Sequence, residues 1–97
     1  MQAAIIRGVV GHVRWAYYTA AHVEGFTVVR SPAPRPPGVQ ARWSMKGRVV
    51  LTDRFKLTQR PLIFVAPHAK GKWQWPIEEF VITDGELTAR LGPVEEY

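Results

Sequence analysis

Val39-Gln40-Ala41-Arg42-Trp43-Ser44-Met45-Lys46-Gly47-Arg48-Val49-Val50-Leu51 alternates strictly in character along nearly its whole length. Val39, Ala41, Trp43, Met45, Gly47, Val49 and Leu51 fall on one side, and Gln40, Arg42, Ser44, Lys46 and Arg48 on the other. Successive side chains of a β-strand point to opposite faces, so the stretch predicts a strand with an apolar face toward a core and a basic stripe toward solvent. Gly47 has no side chain to pack and marks a bulge or bend. Unbroken alternation would aim Asp53 into the core, so Thr52-Asp53-Arg54 reads as a corner. After it, Phe55 and Leu57 return to the interior while Lys56 and Arg60 stay outside.

Downstream, Leu62-Ile63-Phe64-Val65-Ala66 is a short apolar run suited to a strand covered on both faces, ended by Pro67. His68-Ala69-Lys70-Gly71 reads as a turn. In Lys72-Trp73-Gln74-Trp75-Pro76-Ile77 the residues Trp73, Trp75 and Ile77 share a side, and Pro76 argues for an edge strand or a strand end. Asp84-Gly85 is a favoured type I′ pair between alternating flanks. A two-residue loop there places Thr83 opposite Glu86, Ile82 opposite Leu87, Val81 opposite Thr88 and Phe80 opposite Ala89. Phe80, Ile82, Leu87 and Ala89 then share a buried face. Gly92-Pro93 stops this strand, leaving 94–97 as a flexible acidic tail.

Upstream, Ser31-Pro32-Ala33-Pro34-Arg35-Pro36-Pro37-Gly38 fixes φ repeatedly and removes backbone donors, so 31–38 is an extended loop. Its Pro34-x-x-Pro37 spacing is of the kind read by aromatic grooves, but a rigid loop joining two strands is the favoured reading. Ile5 to Val10 reads as a strand. Over 12–23 two templates compete. A helix groups Val13, Ala16, Tyr17, Ala20 and Val23, with Gly25 as its C-terminal cap. A strand puts Val13, Trp15, Tyr17, Thr19, Ala21 and Val23 on one face, with a Glu24-Gly25 turn pairing Val23 with Phe26. The aromatic and β-branched residues favour the strand.

The expected fold is mainly β: a small antiparallel barrel or roll of five to seven strands in one domain over 1–93, with room for one short helix at 12–23. Ile5, Val9, Val28, Trp43, Met45, Val49, Phe55, Leu57, Ile63, Val65, Ile82 and Leu87 form its expected core. A chain of 97 residues, 46% apolar and 22% charged, has room for one core and is too apolar for disorder. No window approaches the ~20 apolar residues of a membrane helix. Ala3-Ala4-Ile5-Ile6 is broken by Arg7 short of a signal peptide's ~7–15-residue stretch. A cytoplasmic protein without membrane association is therefore expected (the host cytoplasm, should a phage encode it).

Catalytic constellations are weak. The absence of cysteine excludes disulfides, thiolate metal sites and a cysteine nucleophile. His12, His22 and His68 lack metal-ligand spacing, and Ser31 and Ser44 lie in no nucleophile elbow. Glu78/Glu79 and Asp84/Glu86 fall where solvation is expected, and Gly8-x-x-Gly11 lacks the remainder of a phosphate loop. A non-enzymatic protein without cofactor or metal follows.

Charge is the most informative feature. Behind a net charge of +5, residues 30–72 hold ten basic side chains against Asp53, while residues 78–97 hold Arg90 against six acids. Such a segment attracts polyanions over a Debye length of ~8–10 Å. Aromatic side chains lie among the cations, the combination that holds single-stranded nucleic acid by stacking within a positive groove. Arg42, Lys46, Arg48, Lys70 and Lys72 are the expected phosphate contacts, and Trp73, Trp75 and Tyr18 the stacking platforms. Tyr18 is expected to share its face with Arg14 and His12.

Gln59-Arg60-Pro61-Leu62-Ile63-Phe64-Val65-Ala66-Pro67-His68, followed by Gly71-Lys72-Trp73-Gln74-Trp75-Pro76-Ile77, resembles short uncharacterised proteins of temperate phages and prophages over roughly the last two-thirds of the chain. The resemblance implies no activity and assigns no functional residue. It implies small accessory roles: binding nucleic acid, a minor structural or assembly part, or inhibition of a host protein. The leading expectation is a module binding single-stranded DNA or RNA. The alternative is a protein–protein module, with self-association among its forms, that docks through an exposed aromatic edge or the proline loop.

Overall fold

The computed structural model describes residues 5–30, 42–57, 61–68 and 71–96. These form β1 (Ile5–Arg7), β2 (Val10–Trp15), β3 (Tyr18–Arg30), β4 (Trp43–Leu51), β5 (Leu62–His68), β6 (Gly71–Thr83), β7 (Glu86–Leu91) and β8 (Glu95–Glu96), with a 3-10 turn at Phe55–Leu57. All pairings are antiparallel. The order β2-β3-β4-β7-β6-β5 returns to β2, closing a six-stranded barrel. β1 extends the ladder on β3, and β8 pairs with β6. The protein is thus a small antiparallel β-barrel. Among the described residues no helix is long and apolar enough to cross a membrane.

β4 follows its sequence alternation. Trp43, Met45 and Gly47 are buried, while Arg42, Ser44, Lys46 and Arg48 are exposed. The Asp84-Gly85 hairpin has the four expected pairs, and both turn residues have positive φ (52° and 77°), as a type I′ turn requires. The corner at Thr52 is pinned to β3. Its N–H donates to the Ala20 carbonyl at 3.0 Å, and its hydroxyl lies 2.8 Å from the Thr19 carbonyl.

Four local expectations are corrected. Residues 12–23 form no helix and no single strand: β2 and β3 meet in a tight turn at Ala16-Tyr17, with Ala16 at φ 52°. Instead of a turn at Glu24-Gly25, β3 runs through a bulge. Gly25 adopts φ 58° and donates to the Val9 carbonyl at 2.7 Å, and the register with β4 shifts between Glu24 and Thr27. The extra residue changes parity, so Val23, Phe26 and Val28 all face inward.

Neither proline stops or edges a strand. Pro67 lies within β5 opposite Lys72, and Pro76 lies in β6, a strand with neighbours on both sides. Pro76 needs no donor because the adjacent ladder is broken between Ile77 and Glu79, and its carbonyl accepts the Gly92 N–H at 2.8 Å. The acidic terminus is tied down at two positions, Glu95 opposite Gln74 and Glu96 opposite Trp73. The proline segment 31–38 lies outside the described residues.

The core is an aromatic chain inside the ring. Phe26 contacts Phe64 edge-on at 5.2 Å, Phe64 stacks on Trp75 at 5.9 Å, and Trp75 meets Trp43 at 5.7 Å. Val13, Val28, Met45, Leu62, Leu87 and Leu91 fill the remaining space. Ile5 and Val9, expected in this core, are 54% and 82% exposed, because β1 pairs with β3 alone. Val65 is buried on the opposite side of β5 from Phe64.

Gly47 lets the wall close. A Cβ there would lie 2.5 Å from Val23 Cγ1 and 3.1 Å from the Phe26 Cα. Gly47→Ala is expected to lower unfolding free energy by ~1–3 kcal/mol in urea titration, the range for overpacking. An unchanged midpoint would show that the β3–β4 wall is looser than these distances imply.

Candidate functional site

The basic stripe of β4 points outward, but closure of the barrel places carboxylates beside it. Arg48 sits opposite Glu24 of β3 and Glu86 of β7. Lys46 Nζ lies 3.5 Å from Glu86, and Arg42 Nη1 donates to Glu78 Oε1 at 2.8 Å. Arg90 lies 3.0 Å from Glu79 and 3.6 Å from Glu78. Four cations thus share this flank with Glu24, Glu78, Glu79 and Glu86, all within a few residues on the same outer face. Exposed pairs of this kind add little stability, ~0–1 kcal/mol each, but they cancel the local field. The expectation of a free positive stripe at Arg42, Lys46 and Arg48 is corrected accordingly.

The two expected tryptophan platforms face inward. Trp75 is fully buried at the centre of the aromatic chain, and Trp73 is half-buried against the same core, 6.2 Å from Trp75. Their shared side is the barrel interior, so Trp75 offers no ring face to a base and Trp73 only a partly covered one. Tyr18 is different. It is 42% exposed, with the Arg54 guanidinium 4.4 Å from its ring centroid and Trp15 at 6.1 Å. It pairs with Trp15 and so faces the opposite way from Arg14 and His12, which corrects the expectation of a shared face. Its neighbour Tyr17, at the hairpin tip, is 91% exposed. Sequence reasoning missed Tyr17 because an unbroken strand assigned it to the core face, and Ala16-Tyr17 carries no glycine, asparagine or aspartate to announce a turn.

Lys72 belongs to another flank. On β2, His12 pairs across to His22 of β3 and to Val65 of β5, and Arg14 pairs across to Thr19 and Ile63. On β6, Lys72 stands opposite Pro67. A groove of about 230 Å³ is lined by His12, Arg14, Thr19, Val65, Pro67 and Lys72, with no carboxylate among them. The His12 and His22 rings meet edge-on at 5.1 Å. His12 Nδ1 is buried and has no hydrogen-bond partner. Burial holds the His12 pKa below its ordinary value, and the positive fields of His22, Arg14 and Lys72 lower it further. Lys70 lies outside the described residues.

Chemically, two imidazoles flanked by an arginine and a lysine suit an anion far better than a metal cation, which the flanking charges repel. Among the described residues no cluster of three or more metal-ligating side chains occurs. His12 and His22 escaped sequence reasoning because their adjacency depends on the register across a hairpin whose turn is unmarked. The sequence matches no family model, and neither a curated protein nor a solved structure matches it.

A depressed histidine pKa means that the unfolded chain binds the proton more readily than the folded one. The stability held by neutral His12 is therefore fully present above pH 6.5 and is lost as pH falls from there through the folded value. Chemical denaturation between about pH 7.5 and 5 should show declining stability, with a smaller decline in His12→Gln. Equal slopes in the two proteins would remove His12 from this role.

Proposed function

We propose that the protein is a non-enzymatic module that binds single-stranded nucleic acid, and that it does so on the β2–β3–β5–β6 flank instead of along β4. The observation that carries this reading is the segregation of charge. On the β4 flank each cation stands beside a carboxylate, whereas the groove between Arg14 and Lys72 is lined by these two cations, His12, Thr19, Val65 and Pro67. Arg14 and Lys72 would neutralise phosphates. Tyr18, capped by Arg54, and the exposed Tyr17 would supply aromatic surface at the β2–β3 tip, Tyr18 from the Trp15 side of the hairpin, where bases can stack. From the original set, Lys72 and Tyr18 keep their roles, while Arg42, Lys46 and Arg48 become parts of charge-paired clusters.

A fluorescein-labelled oligo-dT should bind with micromolar affinity at about 50 mM salt and weaken steeply as salt rises. Replacing Arg14 and Lys72 together by glutamine should flatten the log–log salt slope by about 1.4, near 0.7 per lost phosphate contact. Arg48→Gln should leave the slope almost unchanged. Absence of micromolar binding, or equal losses from Arg48→Gln, would overturn the proposal. A self-complex that persists in high salt would favour the protein–protein alternative.

A further inference from the structure

His12 and His22 occupy the centre of this flank, yet neither carries a fixed charge to hold a phosphate. Their rings touch at 5.1 Å, and no described carboxylate lines the groove that His12 borders. His12 Nδ1 is buried without a hydrogen-bond partner, so the ring is not held by a bond within the chain at that nitrogen. We infer that the His12–His22 pair is the phosphodiester-contacting centre of the flank, and that it takes up its anion together with a proton drawn from solvent. The inference rests on the nucleic-acid reading above and specifies how that site is regulated.

The groups facing His12 set the direction of the coupling. Arg14 follows on the same strand, His22 faces it from β3, and Lys72 faces it from β6; Val65 and Pro67 of β5 do not titrate. Glu24 stands two residues beyond His22, opposite Arg48. Without a ligand, the cationic neighbours and partial burial resist a further positive charge on His12. A phosphodiester stays anionic throughout the neutral range. Seated in the groove, it offsets Arg14 and Lys72 and supplies an acceptor for an imidazolium N–H. The proton moves from bulk water onto the imidazole; no covalent bond to the ligand forms. Binding must then tighten as pH falls, by up to roughly tenfold per pH unit for each proton taken up.

The test measures oligo-dT affinity at fixed ionic strength between about pH 8 and pH 6, where histidine titrates. For the native protein, tightening by roughly three- to tenfold across this range is expected. His12→Gln should show a much flatter profile across this range. Proton NMR titration of the native histidines gives a second readout that needs no variant. Adding oligo-dT should raise the His12 midpoint. Salt-dependent binding that is flat in pH, with an unmoved His12 midpoint, would overturn this inference and leave the flank assignment standing. No binding at any pH would overturn both.

Discussion

Closure of the ring decides what every outward side chain meets. A strand in an open sheet can present its polar face with one edge unpaired, but β4 is held between β3 and β7 along most of its length. Its register is locked from inside by Trp43, Met45 and the close approach of Gly47 to Val23 and Phe26. A one-residue slip would turn Met45 outward and Lys46 into the aromatic chain. The interior packing thereby dictates that Arg48 faces Glu24 and Glu86, and that Lys46 reaches Glu86. These charge pairs are consequences of core packing, and their small energies are not what holds the barrel together.

The same closure leaves the other flank differently charged. Of the carboxylates after residue 77, Glu78, Glu79 and Glu86 enter the ring through the second half of β6 and through β7, next to β4, while Glu95 and Glu96 lie on β8 beside the first half of β6. The first half of β6 pairs instead with β5, and β5 with β2, strands that carry no acidic residue. The long strand β6 thus divides the molecule, and its acidic portion begins where its partner changes near Ile77. The ring thus brings Arg14 and Lys72 to one groove despite a modest net charge of +5, with β8 as the acidic element beside it.

Where the sequence carries a local rule, the reading was sufficient. Alternation marked β4, and Asp84-Gly85 fixed a hairpin with its register. The barrel class followed from many short strands without helical periodicity. The errors arose where parity changes without a marker. The Ala16-Tyr17 turn lacks the usual turn residues, and the bulges near Ala20 and Gly25 each add a residue that swaps faces. The surroundings of the candidate ligand contacts were hidden from the sequence for a related reason. Alternation shows that Trp73 and Trp75 share a side and that Arg42, Lys46 and Arg48 share another. It cannot show that the tryptophan side is the interior, or which strand's acids will lie beside the cations. Those are nonlocal facts. The His12–His22 contact depends on them entirely.

Stacking and charge neutralisation need not come from one strand, and here they do not. Tyr18 stands at the end of the β2–β3 hairpin, and the guanidinium over its ring comes from Arg54, just past the corner that Thr52 fastens to the Thr19 and Ala20 carbonyls. Arg54 is further anchored through its own N–H to the Thr52 hydroxyl at 3.3 Å. The planar pair is thus preassembled by backbone contacts, which reduces the ordering a ligand must impose. Thr19 links this end to the groove, since it pairs with Arg14 and lines the same depression as His12 and Lys72. A proposed single-stranded ligand that used both Tyr18 and Arg14 would have to pass over the hairpin tip, because the two side chains project from opposite faces. A compact carboxylate ligand could use the groove but would leave Tyr17 and Tyr18 without a role.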